Sequence, residues 1–406
     1  MNFVDCCIVG GGPAGALLTL LLARRGVSVA LLEAHPSADR HFRGNTLSPA
    51  ALDLLDRCGL AARVLALPHA RIPRFCIATS EGPFTFADFT GLPTHYPFVL
   101  LLPQAALLDM LLDEARQFAH VQIMSGARAR ELIVEDRQVC GVRYRTASGE
   151  NELRARLTIG ADGRFSTVRK LAELPTSATA SPIDVVWFRL PRTAGDPAVA
   201  EATFRFGHRA LLVIMDSGDT WQVGVIIEKG SYPQLRERGL AHFRCMVADL
   251  APELADRLGT LADWSACALL PVESSRARRW YRPGLLLIGD AAHVMSPVGG
   301  VGITCALQDA QAAADVLAMP LRTGTLATAH LRAVQRRRSL PTAIIQAAQH
   351  FAHRQVVDGA LASERAFRIP RWLRLALALP GLRHVPARLI GFGSLLRPHE
   401  VHEHGA

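Results

Sequence analysis

The sequence predicts an α/β chain in which a dinucleotide-binding fold is interleaved with an antiparallel β-sheet layer and followed by a C-terminal helical region. Three observations predict it. An apolar run at residues 4–9 meets the glycine-rich turn GGGPAG and then a leucine-rich helix. Two further apolar runs, 157–160 and 285–288, each deliver an aspartate to a glycine-flanked turn. Between them, residues 183–228 break into four β-rich runs separated by turns.

The chain has 406 residues, half of them hydrophobic and a fifth charged. It can bury a sizeable core, which excludes a mainly disordered chain and a small disulfide-stapled one. Lys and Arg total 45 against 36 Asp and Glu, a formal charge of +9. Lys170 and Lys229 are the only lysines. A diffuse excess of arginine suits an anionic cofactor without requiring nucleic acid. The cysteines at 6, 7, 58, 76, 140, 245, 267 and 305 form no C-x-x-C pair, so no zinc ribbon or thioredoxin-like site is indicated. Their scatter suits a reducing cytosol, and a cytoplasmic location is expected. Residues 6–23 are uncharged over a length that could span a membrane. But Gly10, Gly11, Gly12 and Pro13 lie in the middle and no basic residue precedes them, so strand, turn and helix explain the stretch better.

The first element is a buried strand over 4–9, and the helix over 14–25 begins at Pro13, where a missing N–H costs nothing. Gly26 fits the position just past its end, and 27–32 is a second strand closed by Glu33. In G-x-G-x-x-G, Gly10 permits the tight turn, Gly12 lets the backbone approach a pyrophosphate, and Gly15 lets helix and strand pack closely. Free N–H groups and the positive helix end face the anion. Glu33, 23 residues after Gly10, stands about where a carboxylate accepts ribose hydroxyls. With no second such unit downstream, this is one Rossmann-like fold.

Ser48 is placed to cap a helix from Pro49 to near Gly59, and 104–118 is a second amphipathic helix. Strands are expected at 121–123 and 139–145, with a turn at Ser148 and Gly149. The run 157–160 leads into ADGRFSTVR, and 285–288 leads into GDAAHVMSPVGGVGI and a helix through Leu317. In both, a buried strand brings Asp162 or Asp290 to the carboxyl end of a sheet, where α/β folds bind ligands. Gly299 and Gly300 can expose N–H groups toward an electron-rich carbonyl.

These three segments, in this order over residues 4–317, resemble those of the group A flavoprotein monooxygenases, the para-hydroxybenzoate hydroxylase-like family. That family runs G-x-G-x-x-G, then D-G, then G-D ending in P-x-G-G-x-G. The resemblance implies one extended FAD. Gly10, Gly12 and Gly15, with Pro13 and Ala14 between them, would hold its pyrophosphate, and Glu33 its adenosine ribose. Asp290, after Gly289, would bind the ribityl chain. Pro297 would lie beside the reactive face of the ring, with Gly299 and Gly300 donating to its pyrimidine end and Val301 and Gly302 completing the motif. Asp162 and Gly163 match the motif tied to FAD and transient NAD(P)H binding. Arg43 and Gln104 stand where the family places flavin-contacting side chains, Gln104 departing from the commoner arginine.

The resemblance further implies that NADPH or NADH reduces FAD, and that a flavin C4a-hydroperoxide hydroxylates an aromatic or polyketide-like hydrophobic substrate in a dry pocket. The chemistry would be flavin-borne, with no catalytic side chain and no metal. Rival readings are a reductase or oxidase on the same scaffold, or a flavin-binding protein without activity. A halogenase is disfavoured, because the W-x-W-x-I-P run of that family is represented only by TWQVG at 220–224.

The four runs of 183–228 form the expected substrate sheet. Trp187, Arg189, Phe204, Met215, Trp221 and Gln222 are its candidate pocket residues, although each taken singly reads more readily as sheet core. The expected organisation is an FAD-binding part over 1–180 with a substrate-layer excursion near 68–103, a β-rich substrate part over 181–275, a return to the FAD-binding part over 276–340, and a helical region and tail over 341–406. His293 is expected to shape its loop rather than act as a base. Arg336, Arg337 and Arg338 read as a solvated face. His399, His402 and His404 read as tail, not a metal site. The basic amphipathic stretch 368–397 could contact a membrane weakly, but packing against the body is the preferred reading. The partner expected is a small aromatic substrate.

Overall fold

The apolar strand Phe3–Val9 sits in the middle of a sheet ordered Tyr281–Arg282, Leu285–Leu287, Gly149–Gly160, Phe3–Val9, Val29–Glu33, Val121–Ser125. The last five of these run parallel, and Tyr281–Arg282 is an antiparallel edge. Parallel strands buried on both faces lack polar alternation, which explains the continuous apolar text of the N-terminal run. The first half of Gly149–Gly160 extends beyond this body and pairs with an antiparallel meander, Gln138–Thr146 and Arg128–Glu135. This computed structural model describes residues 3–35, 46–79, 82–179, 181–196, 201–207, 210–360, 382 and 384–392. Arg43, residues 368–381 and the histidines at 399, 402 and 404 lie outside the described residues.

Helix Pro13–Arg24 starts on Pro13, and Leu17, Leu18, Leu20, Leu21 and Leu22 are all buried. A helix that is apolar all round must be covered all round. Gly302–Thr323 and Gln104–Arg116 pack against it and supply that cover. Ser48 caps Pro49–Arg57 by accepting from Ala51 N–H at 3.4 Å. The suspected membrane span is therefore a strand, a turn and a buried helix. Among the described residues no helix is long and apolar enough to cross a membrane.

A second sheet has seven strands, ordered Ala268–Pro271, Ile183–Pro191, Thr220–Glu228, Ala210–Asp216, Ala202–Gly207, Arg74–Thr79, Gly82–Asp88. The pairings are antiparallel except where Ala202–Gly207 meets Arg74–Thr79. Its two faces have different cover. Val186, Phe188, Leu190, Val223 and Val225 face the helices Tyr232–Glu237 and Leu240–Leu250. Val185, Val213 and Ile226 point the other way, into an aromatic-rich cluster with Phe75, Phe89 and Ala387.

The long helix Thr328–Ala360 buries polar residues as well as Leu331, Val334 and Ile345. Arg338, Thr342 and Gln349 are buried on it, whereas Leu340, Ile344 and Phe351 are exposed. The arginine run corrects one expectation. Arg336 and Arg337 are exposed, but Arg338 is 8 % exposed and forms an ion pair with Asp309 at 2.7 Å. Three consecutive helical residues point 100° apart, so a run of like charge cannot share one face. The described part of the C-terminal stretch, helix Val385–Phe392, packs on the body: Ala387 is fully buried and Gly391 fits against Pro49 and Leu92.

Candidate active site

Three turns distant in sequence meet at the carboxyl ends of the parallel strands. Gly10 has φ +104, and a Cβ there would lie 2.5 Å from Ala161 O and 2.7 Å from Asp162 Cα. The first turn is therefore in backbone contact with the second. A Cβ on Gly15 would lie 1.9 Å from Gly10 O, so the third glycine lets the helix close onto its own turn. Gly289, with φ +58, has Ala14 Cβ 3.1 Å from its Cβ position, which brings the third turn onto the same helix.

What these turns leave uncovered suits a long anionic group. Among the described residues, and apart from their own chain neighbours and helix backbone, nothing lies within 4 Å of the Cβ positions of Gly12, Gly163 and Gly302. Gly12 and Val301, which begin the helices Pro13–Arg24 and Gly302–Thr323, make no side-chain cap, and a positive helix end of this kind suits an anion. Glu33 closes the turn on the second strand. Its Oε2 accepts from Gly11 N–H at 2.6 Å and its Oε1 from His35 N–H at 2.9 Å. A carboxylate at this place is of the type that accepts from ribose hydroxyls. The residues present fit a dinucleotide.

The two aspartates differ. Asp162 is turned back onto its own loop, where Oδ1 accepts from Ser166 Oγ at 2.5 Å and Oδ2 from Val168 N–H at 3.0 Å. Burial raises its pKa, against the lowering effect of those bonds. It shapes the turn and starts the helix Thr167–Leu171. Asp290 has no hydrogen-bonding side chain or backbone partner among the described residues and keeps some surface. Burial pushes its carboxyl up, while Arg164 and His293 oppose the rise. It is thus the aspartate available to a hydroxylated chain. Arg169 ties the two turns together, donating to Ala291 O and to Arg164 O at 2.9 Å each.

Behind Asp290 lies a network that the sequence did not disclose. Asp309, fully buried on helix Gly302–Thr323, accepts from Gly289 N–H at 2.9 Å and Arg338 Nε at 2.7 Å and bonds His293 Nε2 at 2.6 Å. Burial alone would raise the Asp309 carboxyl; His293 and Arg338 bring it down to about 2. The His293 ring lies tilted against Trp280, with centroids 5.0 Å apart. It holds the loop from inside, as a loop-shaping residue does. The available signal was spacing: Asp309 lies two turns into the helix, on the side of Thr304 and Cys305 that is buried.

The segment 297–302 is held by a second set of contacts. Gly299 and Gly300 have φ +80 and +63, and Thr46 Oγ1 donates to Gly300 O at 3.3 Å. Thr46–Leu47 pairs with Val99–Leu101, and Gln104 begins a helix three residues later. Pro297 is half-buried at the start of this turn and Val301 is buried behind it. Ile390 Cγ1, from the C-terminal helix, lies 4.0 Å from the Cβ position of Gly299. No group of His, Cys, Asp and Glu suited to a metal occurs among the described residues.

The proposed sheet residues divide. Trp187, Phe204 and Met215 belong to the aromatic-rich face. Arg189 and Gln222 are register partners with the same parity as Trp187. The Trp187 ring lies over Gly224, 2.8 Å from its Cβ position. Trp221 belongs to the opposite face, where its Nε1 donates to Asp196 and Arg192 stacks on its ring at 4.8 Å. It is separated from the other five by the sheet itself. Sequence reasoning missed Phe75 and Phe86, whose rings lie 6.0 and 5.5 Å from Phe204. The alternation in FTFADF at 84–89 was the signal for that strand.

Comparison with known proteins places the chain in the family described as FAD binding domain, whose model matches residues 3–348. It belongs to that family, and it is an FAD-dependent monooxygenase. A 6-methylpretetramide 4-monooxygenase from Streptomyces rimosus is 37 % identical over 336 residues, covering 82 % of this chain and 80 % of that one. A para-nitrophenol 4-monooxygenase from Pseudomonas is 27 % identical, covering 78 % of each. The crystal structure of PqsL from P. aeruginosa in complex with 2-aminobenzoylacetate shares the fold, with a TM-score of 0.76 at 21 % identity over 89 % of this chain and all of that one.

Proposed function

We propose that the chain hydroxylates an electron-rich, fused aromatic substrate of polyketide-like character, using NADPH or NADH and O2. The observation that carries this reading is the position of the 297–300 turn, which joins the convergent glycine corners to the aromatic-rich face of the second sheet through Ile390. The relative at 37 % identity, named for 6-methylpretetramide, supports a polycyclic ring system over a single phenol.

FAD, when bound, supplies the electron transfer and oxygen activation. The chain's residues do the rest. Gly10, Gly12 and Gly15 with Pro13 and Ala14 would hold the pyrophosphate at the helix N-terminus, and Glu33 would accept from the ribose. Asp290 accepts from the ribityl hydroxyls. The Gly299 N–H would be the turn's donor to the pyrimidine edge, since the Gly300 N–H is engaged within the turn by Pro297 O at 3.0 Å. Val301 and Gly302 carry that turn into the long helix. Asp162 and Gly163 keep the second corner open for the reductant. Gln104, half-buried at the start of its helix, would contact the flavin. Phe75, Phe86, Phe204, Trp187 and Met215 exclude water from the substrate side, where stray water would divert oxygen to hydrogen peroxide. Arg189 and Gln222 supply polar contacts at the sheet's end.

The test is to offer the yellow, FAD-loaded protein a panel of fused and monocyclic phenols with NAD(P)H. The proposal expects consumption of reductant and O2 to rise with a fused aromatic, whose mass gains one oxygen. Turnover with no oxygen in the product would make the chain a reductase or oxidase. Preference for a monocyclic phenol would refute the substrate class.

A further inference from the structure

The helix Thr328–Ala360 carries a row of polar side chains at 335, 338, 342, 346 and 349, spaced three and four apart and therefore on one face. Gln335 accepts from Trp280 N–H at 3.0 Å and donates to Arg278 O at 3.0 Å. Arg338 holds Asp309. Gln346 Nε2 donates to Ser275 O and Val294 O, each at 3.0 Å. Gln349 grips one residue twice: its Oε1 accepts from Ser296 N–H at 3.2 Å and its Nε2 donates to Ser296 O at 2.8 Å. Ser296 is 2 % exposed and Gln349 7 %.

These bonds fall where the sheet stops. Strand His293–Val294 pairs with Ser275 and Arg276, and the chain then leaves that ladder. Buried backbone groups beyond a ladder need other partners. At Ser296 both are supplied by one primary amide, immediately before Pro297. An amide with donor and acceptor both engaged fixes the peptide's rotation as well as its distance, which an apolar contact would not do.

We propose that Gln349 is a positioning residue, whose two-point hold on the Ser296 peptide sets how closely the 297–300 turn approaches the flavin ring and hence how well oxygen activation is coupled to hydroxylation. The proposal rests on the reading that this turn faces FAD. It concerns a residue far outside the three glycine corners, on an element with no sequence motif of its own.

The experiment uses the full-length holoenzyme with Gln349→Leu, which keeps bulk and loses both bonds. Gln349→Glu keeps the acceptor toward Ser296 N–H and loses the donor, and it is measured in parallel in case the leucine variant does not accumulate. Val334→Ala, a buried apolar truncation on the same helix, controls for simple destabilisation. We measure the visible spectrum and reduction potential of bound FAD, hydrogen–deuterium exchange over 295–301 with and without FAD, and peroxide released per reductant consumed. The expected result is a displaced flavin spectrum and potential, faster exchange over 295–301, and a severalfold rise in peroxide for Q349L, with Q349E between it and the parent and V334A unchanged in all but melting temperature. If both Gln349 variants match V334A, lowering melting temperature alone, the residue is merely structural and the proposal fails. If FAD does not protect 295–301 in the parent protein, the reading beneath the proposal fails instead.

Discussion

Replacing Asp309 with Asn keeps shape and removes charge at the point where three donors meet. The carboxylate serves Gly289 N–H and His293 on one oxygen and Arg338 on the other. An amide offers one accepting oxygen, so its NH2 must face either Arg338 or the Gly289 and His293 pair, donor against donor. Breaking one partner out of a buried ion pair costs about 3–5 kcal/mol, because the remaining charge stays buried. Arg338 keeps Gln308 as an acceptor at 2.9 Å, which puts the expected loss at the lower end, about 3 kcal/mol. The pH response gives a second reading. With the carboxyl at about 2 against an ordinary 3.8, the folded value is depressed. Its contribution is therefore complete above the ordinary value and is lost as pH falls through about 2. That gap corresponds to roughly 2 kcal/mol. Urea unfolding followed by tryptophan fluorescence from pH 7 down to about pH 1.5 measures both. Asp309→Asn should lower stability at pH 7 and flatten the acid limb. A variant within about 0.5 kcal/mol of the parent, inside the range of ordinary surface substitutions, would refute the anchoring role. So would strict additivity with Arg338→Met, since coupled partners must fall short of their sum.

Asp290→Ala should leave the unfolding midpoint nearly unchanged but weaken FAD about tenfold or more, the worth of one or two hydrogen bonds to a charged group, as read by flavin retention on desalting. Gly15→Ala places a methyl against the Gly10 carbonyl and should yield colourless or insoluble protein, checked by the ratio of flavin to protein absorbance. Phe204→Ala should raise the KM for the aromatic substrate and increase peroxide release. Trp221→Phe, on the far face of the same sheet, should lower the melting temperature with KM unchanged. Ile390→Ala should broaden the range of ring systems accepted, measured as relative kcat/KM across fused and monocyclic phenols.

Much of the parallel core was legible because the runs 4–9, 157–160 and 285–288 are apolar on both faces and lead into glycine turns. Local text carries both signals. The four strands of 183–228 were legible from their β-rich runs and the turns between them, and the structure extends each by one to three residues. The side of the sheet occupied by a given residue was less so. ALLVIM at 210–215 is apolar at every position, so no alternation marks which residues face the helices and which the aromatic cluster. Trp221 was grouped with Gln222 although neighbours on a strand point oppositely, and only the register with Asp216 assigns its face. Asp309 and Arg338 were invisible as a pair because 29 residues and a helix turn separate them. Their partnership is tertiary, and the sequence offers only two ordinary helical charges. The glutamines were illegible for a related reason. A polar helical residue reads as solvent-facing unless one knows that unpaired peptide groups await it.

The polar row on the buried side of Thr328–Ala360 limits how this region can change. A greasy face tolerates slippage, since one methyl serves nearly as well as the next. Here docking depends on amides that meet particular peptides, so a one-residue insertion anywhere between 335 and 349 would rotate the later contacts by 100° and release them together. The outer side, with Leu340, Ile344 and Phe351 in contact with solvent, carries no such restriction. Variation should accumulate on that oily exterior, while length across these fifteen positions stays constant.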